Sequence, residues 1–142
     1  MLAKAIRIAA EAFEDTKDKG GKPYILHCLR VMNKMDQNDE ELMSIAVLHD
    51  VSEDFPDEYP ISDLIGKGFS PRVISALLLL KHDKAISYDD YIKGIATNKD
   101  AVKIKLADLE DNTQITRLKG IGKKDLDRVE KYHRSYLYLS RI

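Results

Sequence analysis

The stretch Ala46 to Asp54, "AVLHDVSED", constrains this chain more than any other. An apolar helical run (Leu42, Met43, Ile45, Ala46, Val47, Leu48) enters a core and then stops in His49, Asp50, Glu53 and Asp54. Acids at a helix C-terminus oppose the macrodipole, and burying unpaired charge is costly. The fold must therefore bring something to this helix end that compensates a His and three acids.

The rest of the chain reads as helices joined by short loops. Leu2, Ile6, Ala9 and Phe13 share a stripe, which predicts a first helix over 2–15. "TKDKGGKP" breaks it, and Pro23 heads a second helix, "YILHCLRVMNKM". "QNDE" supplies caps for the third helix, which carries the opening motif. A proline-punctuated loop and a short turn around Asp63–Gly66 follow. Ser70 then caps "PRVISALLLLKH", Ser87 caps "YDDYIKGIAT", and Asn98 or Asp100 opens "AVKIKLADLEDNTQI". The last helix is "KKDLDRVEKYHRSYLYLS". "VKIKL" alternates with period two and has the look of a strand, but no second such segment exists to pair with it, so helix is expected. With no repeat and no interdomain linker, the expectation is a compact all-α single domain over residues 1–142.

Composition narrows the function classes. With 33% charged residues and a formal net charge of −1, the chain lacks the basic excess of a general nucleic-acid binder. The single Cys28 excludes an internal disulfide and fits a reducing compartment. Lys4, Arg7 and Glu11 interrupt any signal-like apolar core, and "VISALLLL" is too short to span a membrane. A cytoplasmic protein is expected, with no DNA, RNA or membrane partner.

Residues four apart on a helix share a face, which sets His49 over Glu53 and Asp50 over Asp54. An adjacent His-Asp pair offers one imidazole nitrogen and one carboxylate oxygen to a single ion beside the helix end. Two ligands hold a metal poorly, and two other polar residues stand where core residues belong. These are His27 in "PYILHCLRV" and Asp108 in "IKLADLEDN". Taken alone, a His such as His27 is far more often a hydrogen-bonded core histidine than a ligand, and an acid cluster at a helix end is usually a solvated face. His82 and His133 sit among charged residues and read as surface. A cation shared by His27, His49, Asp50 and Asp108 would compensate all four.

The series "DKGGKPYILHCLRV … LHDVSED … KLADLEDN" resembles the HD-domain superfamily of metal-dependent phosphohydrolases. Within it, the chain is most similar to the alarmone-hydrolase domain of RelA/SpoT-type enzymes and their small single-domain relatives. The resemblance implies an all-α fold and one divalent ion, typically manganese, held by His27, His49, Asp50 and Asp108. It assigns Glu53 and Asp54 to positioning or activating the attacking water, Asn112 to the nucleotide and Lys19 to phosphate. Asp18 stands where the family carries an Arg against the guanine base, which implies weaker base discrimination. Phe13, Cys28 and Leu109 also depart from the family pattern without removing a ligand.

The expected activity is hydrolysis of a nucleotide, in the manner of a guanosine 3′,5′-bis(diphosphate) 3′-pyrophosphohydrolase. The alternatives are a hydrolase of another nucleotide or phosphate ester, and a non-catalytic nucleotide-binding module. A binding module has no need of Glu53. Lys17, Lys19 and Lys22 on the glycine-bearing loop would supply positive charge for phosphates.

Overall fold

A computed structural model describes residues 1–142. Nine α-helices and one 3-10 turn follow in order, with no strand: α1 (Leu2–Ala12), α2 (Ile25–Asn33), α3 (Glu40–Leu48), α4 (Val51–Asp54), α5 (Ile61–Gly66), α6 (Pro71–Leu80), α7 (Tyr88–Ile95), α8 (Lys99–Asn112), the turn Ile115–Arg117, and α9 (Lys123–Ser140). A lone antiparallel bridge ties Lys17 to Pro23 at the mouth of the glycine loop. No helix is long and apolar enough to cross a membrane.

Local chemistry starts the helices. Asp39 accepts from the Leu42 amide, Ser70 from Val73, Ser87 from Asp90 and Asn98 from Ala101, each supplying an acceptor to an otherwise orphan N–H. Helix α3 runs through the centre, with every residue from Leu42 to Leu48 buried. Helices α1, α2, α6 and α8 pack around it. Fully buried aliphatics such as Leu42, Ile45 and Val47 each contribute about 1.5–3 kcal/mol through removal from water. The one polar side chain in this run, Ser44, donates to the Glu40 carbonyl of its own helix.

Two expectations are corrected. The first helix ends at Ala12, and Phe13 turns into the core against the rings of Tyr24 and Phe55. The helix carrying the opening motif is not continuous: α3 ends at Leu48, and Glu53 and Asp54 belong to the separate α4. The break has a local cause. His49 Nδ1 lies 2.6 Å from the Ala46 carbonyl, the acceptor that the Asp50 amide would need for the helix to go on. "VKIKL" lies within α8, a helix as expected.

Candidate metal centre and adjoining cleft

Three elements deliver four side chains to one point. His27 comes from α2, His49 and Asp50 from the turn after α3, and Asp108 from α8. One ligand-type atom from each lies within 4.8 Å of the others. His27 Nε2 is 2.9 Å from Asp108 Oδ1 and 3.4 Å from Asp50 Oδ2, and His49 Nε2 is 3.2 and 3.1 Å from the same two oxygens.

Both imidazoles are aimed by their other nitrogen. His49 Nδ1–H donates to the Ala46 carbonyl, and His27 Nδ1 is 2.6 Å from Asp111 Oδ2. A carbonyl can only accept, so His49 carries a proton on Nδ1 and can present Nε2 as a lone pair. The carboxylates are held as well. Tyr24 donates its hydroxyl to Asp50 Oδ2 at 2.6 Å. Lys105 Nζ donates to Asp108 Oδ2 at 2.9 Å, and Asn112 Nδ2 donates to Asp108 Oδ1 at 3.0 Å.

The electrostatics follow from this crowding. Burial disfavours a charged imidazole, but the adjacent carboxylates of Asp108, Asp111 and Asp50 push His27 up to about 11. Asp50 and Asp108 likewise outweigh burial at His49, which rises to about 10. Against the cost of burial, Lys105 and the two imidazoles hold Asp108 well below the usual carboxylate range. Asp54 moves the other way, raised to about 7 by burial and by the charges of Asp50 and Glu53.

These residues fit a divalent cation. His27 Nε2 is buried and makes no aligned hydrogen bond, although two carboxylates stand beside it. Two imidazole nitrogens and two carboxylate oxygens suit a borderline or hard divalent ion. Such an ion would compete with protons for the two Nε2 atoms and neutralise the acids in their place.

A cleft of about 380 Å³ opens beside the four residues, with His27, Tyr24 and Asn112 in its lining. Lys17 and Lys19 come to it from the glycine loop, Arg30 from α2, Arg117 from the 3-10 turn and Arg128 from α9. Lys22 is exposed and does not line it. Asp18 Oδ1 accepts from the Gly20 and Lys22 amides, so its carboxylate is engaged in shaping the loop. Glu53 accepts from the His82 amide at 2.6 Å. Asp54, on the same short helix, is exposed along one side and only partly buried. His133 is exposed, whereas His82, expected at the surface, is half-buried and stacks on Tyr91 with ring centroids 4.5 Å apart.

No protein-family model matches the sequence. The chain is 30% identical over 137 residues to the bifunctional (p)ppGpp synthase/hydrolase SpoT of Escherichia coli, covering 89% of this chain and 19% of that protein. It is 29% identical over 123 residues to the guanosine-3′,5′-bis(diphosphate) 3′-pyrophosphohydrolase of Aquifex aeolicus, covering 80% of this chain and 17% of that one. The chain is related to the RelA/SpoT-type hydrolases. It spans less than a fifth of the length of these curated relatives.

Six further residues around the site do not stand out in the sequence: Tyr24, Arg30, Lys105, Asp111, Arg117 and Arg128. The available signal was spacing. Arg30 follows His27 by three positions, and both Lys105 and Asp111 stand three from Asp108, so each shares a helix face with a ligand candidate.

Proposed function

We propose that this chain is a metal-dependent phosphohydrolase whose substrate is a nucleotide carrying a pyrophosphate. The favoured reaction is release of pyrophosphate from the 3′ position of guanosine 3′,5′-bis(diphosphate). The observation that carries the reading is the meeting of two imidazoles and two carboxylates at the head of a cation-lined cleft. The activities for which the two relatives are named support the substrate class.

His27, His49, Asp50 and Asp108 would hold one divalent ion, which we take to be Mn²⁺. When bound, the ion would acidify a water and offset charge on the phosphoryl group. Tyr24, Lys105 and Asn112 keep the two carboxylates oriented by donating to them. Glu53 is the general base in this reading: one carboxylate oxygen is anchored on the His82 amide, which leaves the other to take a proton from water. Asp54, raised to about 7, is suited to carrying a proton near neutral pH. Lys19 and its cationic neighbours bind phosphates, and Asn112 contacts the nucleotide next to the ligand cluster.

A broader specificity has one observation in its favour. Asp18 faces its own loop amides, so position 18 offers no planar cation for a base to stack on. Hydrolysis of other nucleotides or phosphate esters is the second reading.

The test is purified protein with Mn²⁺, assayed against guanosine 3′,5′-bis(diphosphate), nucleoside monophosphates and p-nitrophenyl phosphate. The proposal expects pyrophosphate release from the first, with base discrimination improved by Asp18→Arg. Turnover of monophosphates alone would favour the second reading. Glu53→Gln should retain bound Mn²⁺ while turnover drops by about two to four orders of magnitude. Undiminished turnover would remove Glu53 as the base.

A further inference from the structure

Asp111 is a buried acid, 3% exposed, that belongs neither to the ligand cluster nor to the hydrophobic core. It stands on α8 three residues after Asp108. Its Oδ2 lies 2.6 Å from His27 Nδ1, 3.1 Å from Arg30 Nη2 and 3.2 Å from Arg117 Nη2. Its Oδ1 accepts from Arg30 Nε at 2.8 Å, which makes the Arg30 contact a two-pronged one, and its backbone carbonyl accepts from Arg117. One residue of α8 thus grips a candidate ligand and an arginine from α2 and a second arginine from the 3-10 turn. Both arginines line the cleft, and neither Nη1 has a partner within the protein.

We infer that Asp111 is a positioning residue that couples the metal centre to the anion-binding wall, fixing His27 through Nδ1 while holding Arg30 and Arg117 toward the cleft. The inference rests on the metal reading above. A carboxylate can accept from all these donors at once, whereas an asparagine side chain has one acceptor oxygen and turns two N–H groups toward donors. Asp111→Asn therefore removes the arrangement with little change of volume. Outer partners of a metal-bound imidazole fix its orientation and basicity, and losing one typically costs about 10- to 100-fold in metal affinity.

The experiment uses the full chain and Mn²⁺ alone, with free ion followed by electron paramagnetic resonance. Asp111→Asn should bind Mn²⁺ about 10- to 100-fold more weakly than wild type. The Co²⁺-loaded variant should show a shifted visible absorption band. Arg30→Gln combined with Arg117→Gln should cost far less Mn²⁺ affinity than Asp111→Asn yet weaken binding of inorganic pyrophosphate to the loaded protein. An equal loss of Mn²⁺ affinity in both would count against the direct role of Asp111. Equal Mn²⁺ affinity in wild type and Asp111→Asn would overturn the inference and leave the metal reading standing. A wild-type chain that binds no Mn²⁺ defeats both. Should Asp111→Asn fail to fold, nitrogen NMR of the Zn²⁺-loaded wild type still decides. His27 protonated at Nδ1 and metallated at Nε2 supports the inference, and the reverse assignment refutes it.

Discussion

His27 and His49 each engage Nδ1 with an acceptor and turn Nε2 toward the same two acids, so protons and a cation compete for one place in the cluster. That arrangement sets a pH dependence. Both histidines are raised in the folded state, to about 11 and about 10, from an ordinary value of 6.5. A group raised on folding contributes stability that is complete below its unfolded value and is lost as pH climbs through the folded one. Metal-free protein, stripped with EDTA, should therefore show a falling Tm as pH rises above 6.5 toward 10. Asp54, raised to about 7, adds a loss of the same sign at lower pH. With excess Mn²⁺ the trend should flatten or reverse, because the ion competes with those protons. A Tm that climbs with pH in EDTA would contradict the protonated cluster. His27 and Asp108 could be picked out beforehand because each is polar inside an apolar stripe. Tyr24 and Asp111 could not, since each owes its role to an atom far away in sequence, Tyr24 to Asp50 and Asp111 to His27. Lys105 stands three residues from Asp108, and only its burial was hidden.

The glycine loop and the 3-10 turn Ile115–Arg117 form one unit at the cleft edge. A Cβ at Gly20 would meet the Arg117 carbonyl oxygen at 2.5 Å, a backbone atom that cannot swing aside, and Gly21 has φ +83°. Gly20→Ala should push the loop off the turn and carry Lys17 and Lys19 with it, at a cost of about 1–3 kcal/mol. The expected result is weaker pyrophosphate binding with unchanged Mn²⁺ affinity, since no ligand candidate is on the loop. Gly66→Ala, with nothing within 4 Å, is the control. Elements whose cause is local were readable in the sequence, such as the starts at Ser70, Ser87 and Asn98. The break between α3 and α4 was not, because it turns on an imidazole reaching a carbonyl. "VKIKL" misleads for a similar reason. Lys105, counted as a surface residue, has a side chain only 13% exposed and bonded to Asp108. Restoring it to the interior gives Ala101, Ile104, Lys105 and Asp108 at helical spacing.

Across the whole molecule the formal charge is −1, yet Lys17, Lys19, Arg30, Arg117 and Arg128 gather around one cleft whose lining acids are Asp18 and Asp111. The positive field is a local exception on a nearly neutral surface, and such a field raises encounter rates for anions. Association of inorganic pyrophosphate with the Mn²⁺-loaded protein should therefore slow markedly between 0.1 M and 1 M salt, as the Debye length contracts from about 10 Å to about 3 Å. Rapid-mixing fluorescence, or competition with a labelled nucleotide, would measure it, and a salt-independent rate would mean the five cations do not steer. The same wall acts on whatever leaves. Five cations that draw a polyanion inward would hold a pyrophosphate-bearing nucleotide and free pyrophosphate alike. On the proposed pyrophosphate release, product inhibition would be built into this wall, and its relief by salt or by a pyrophosphate-consuming reaction would set how fast the site could be used again.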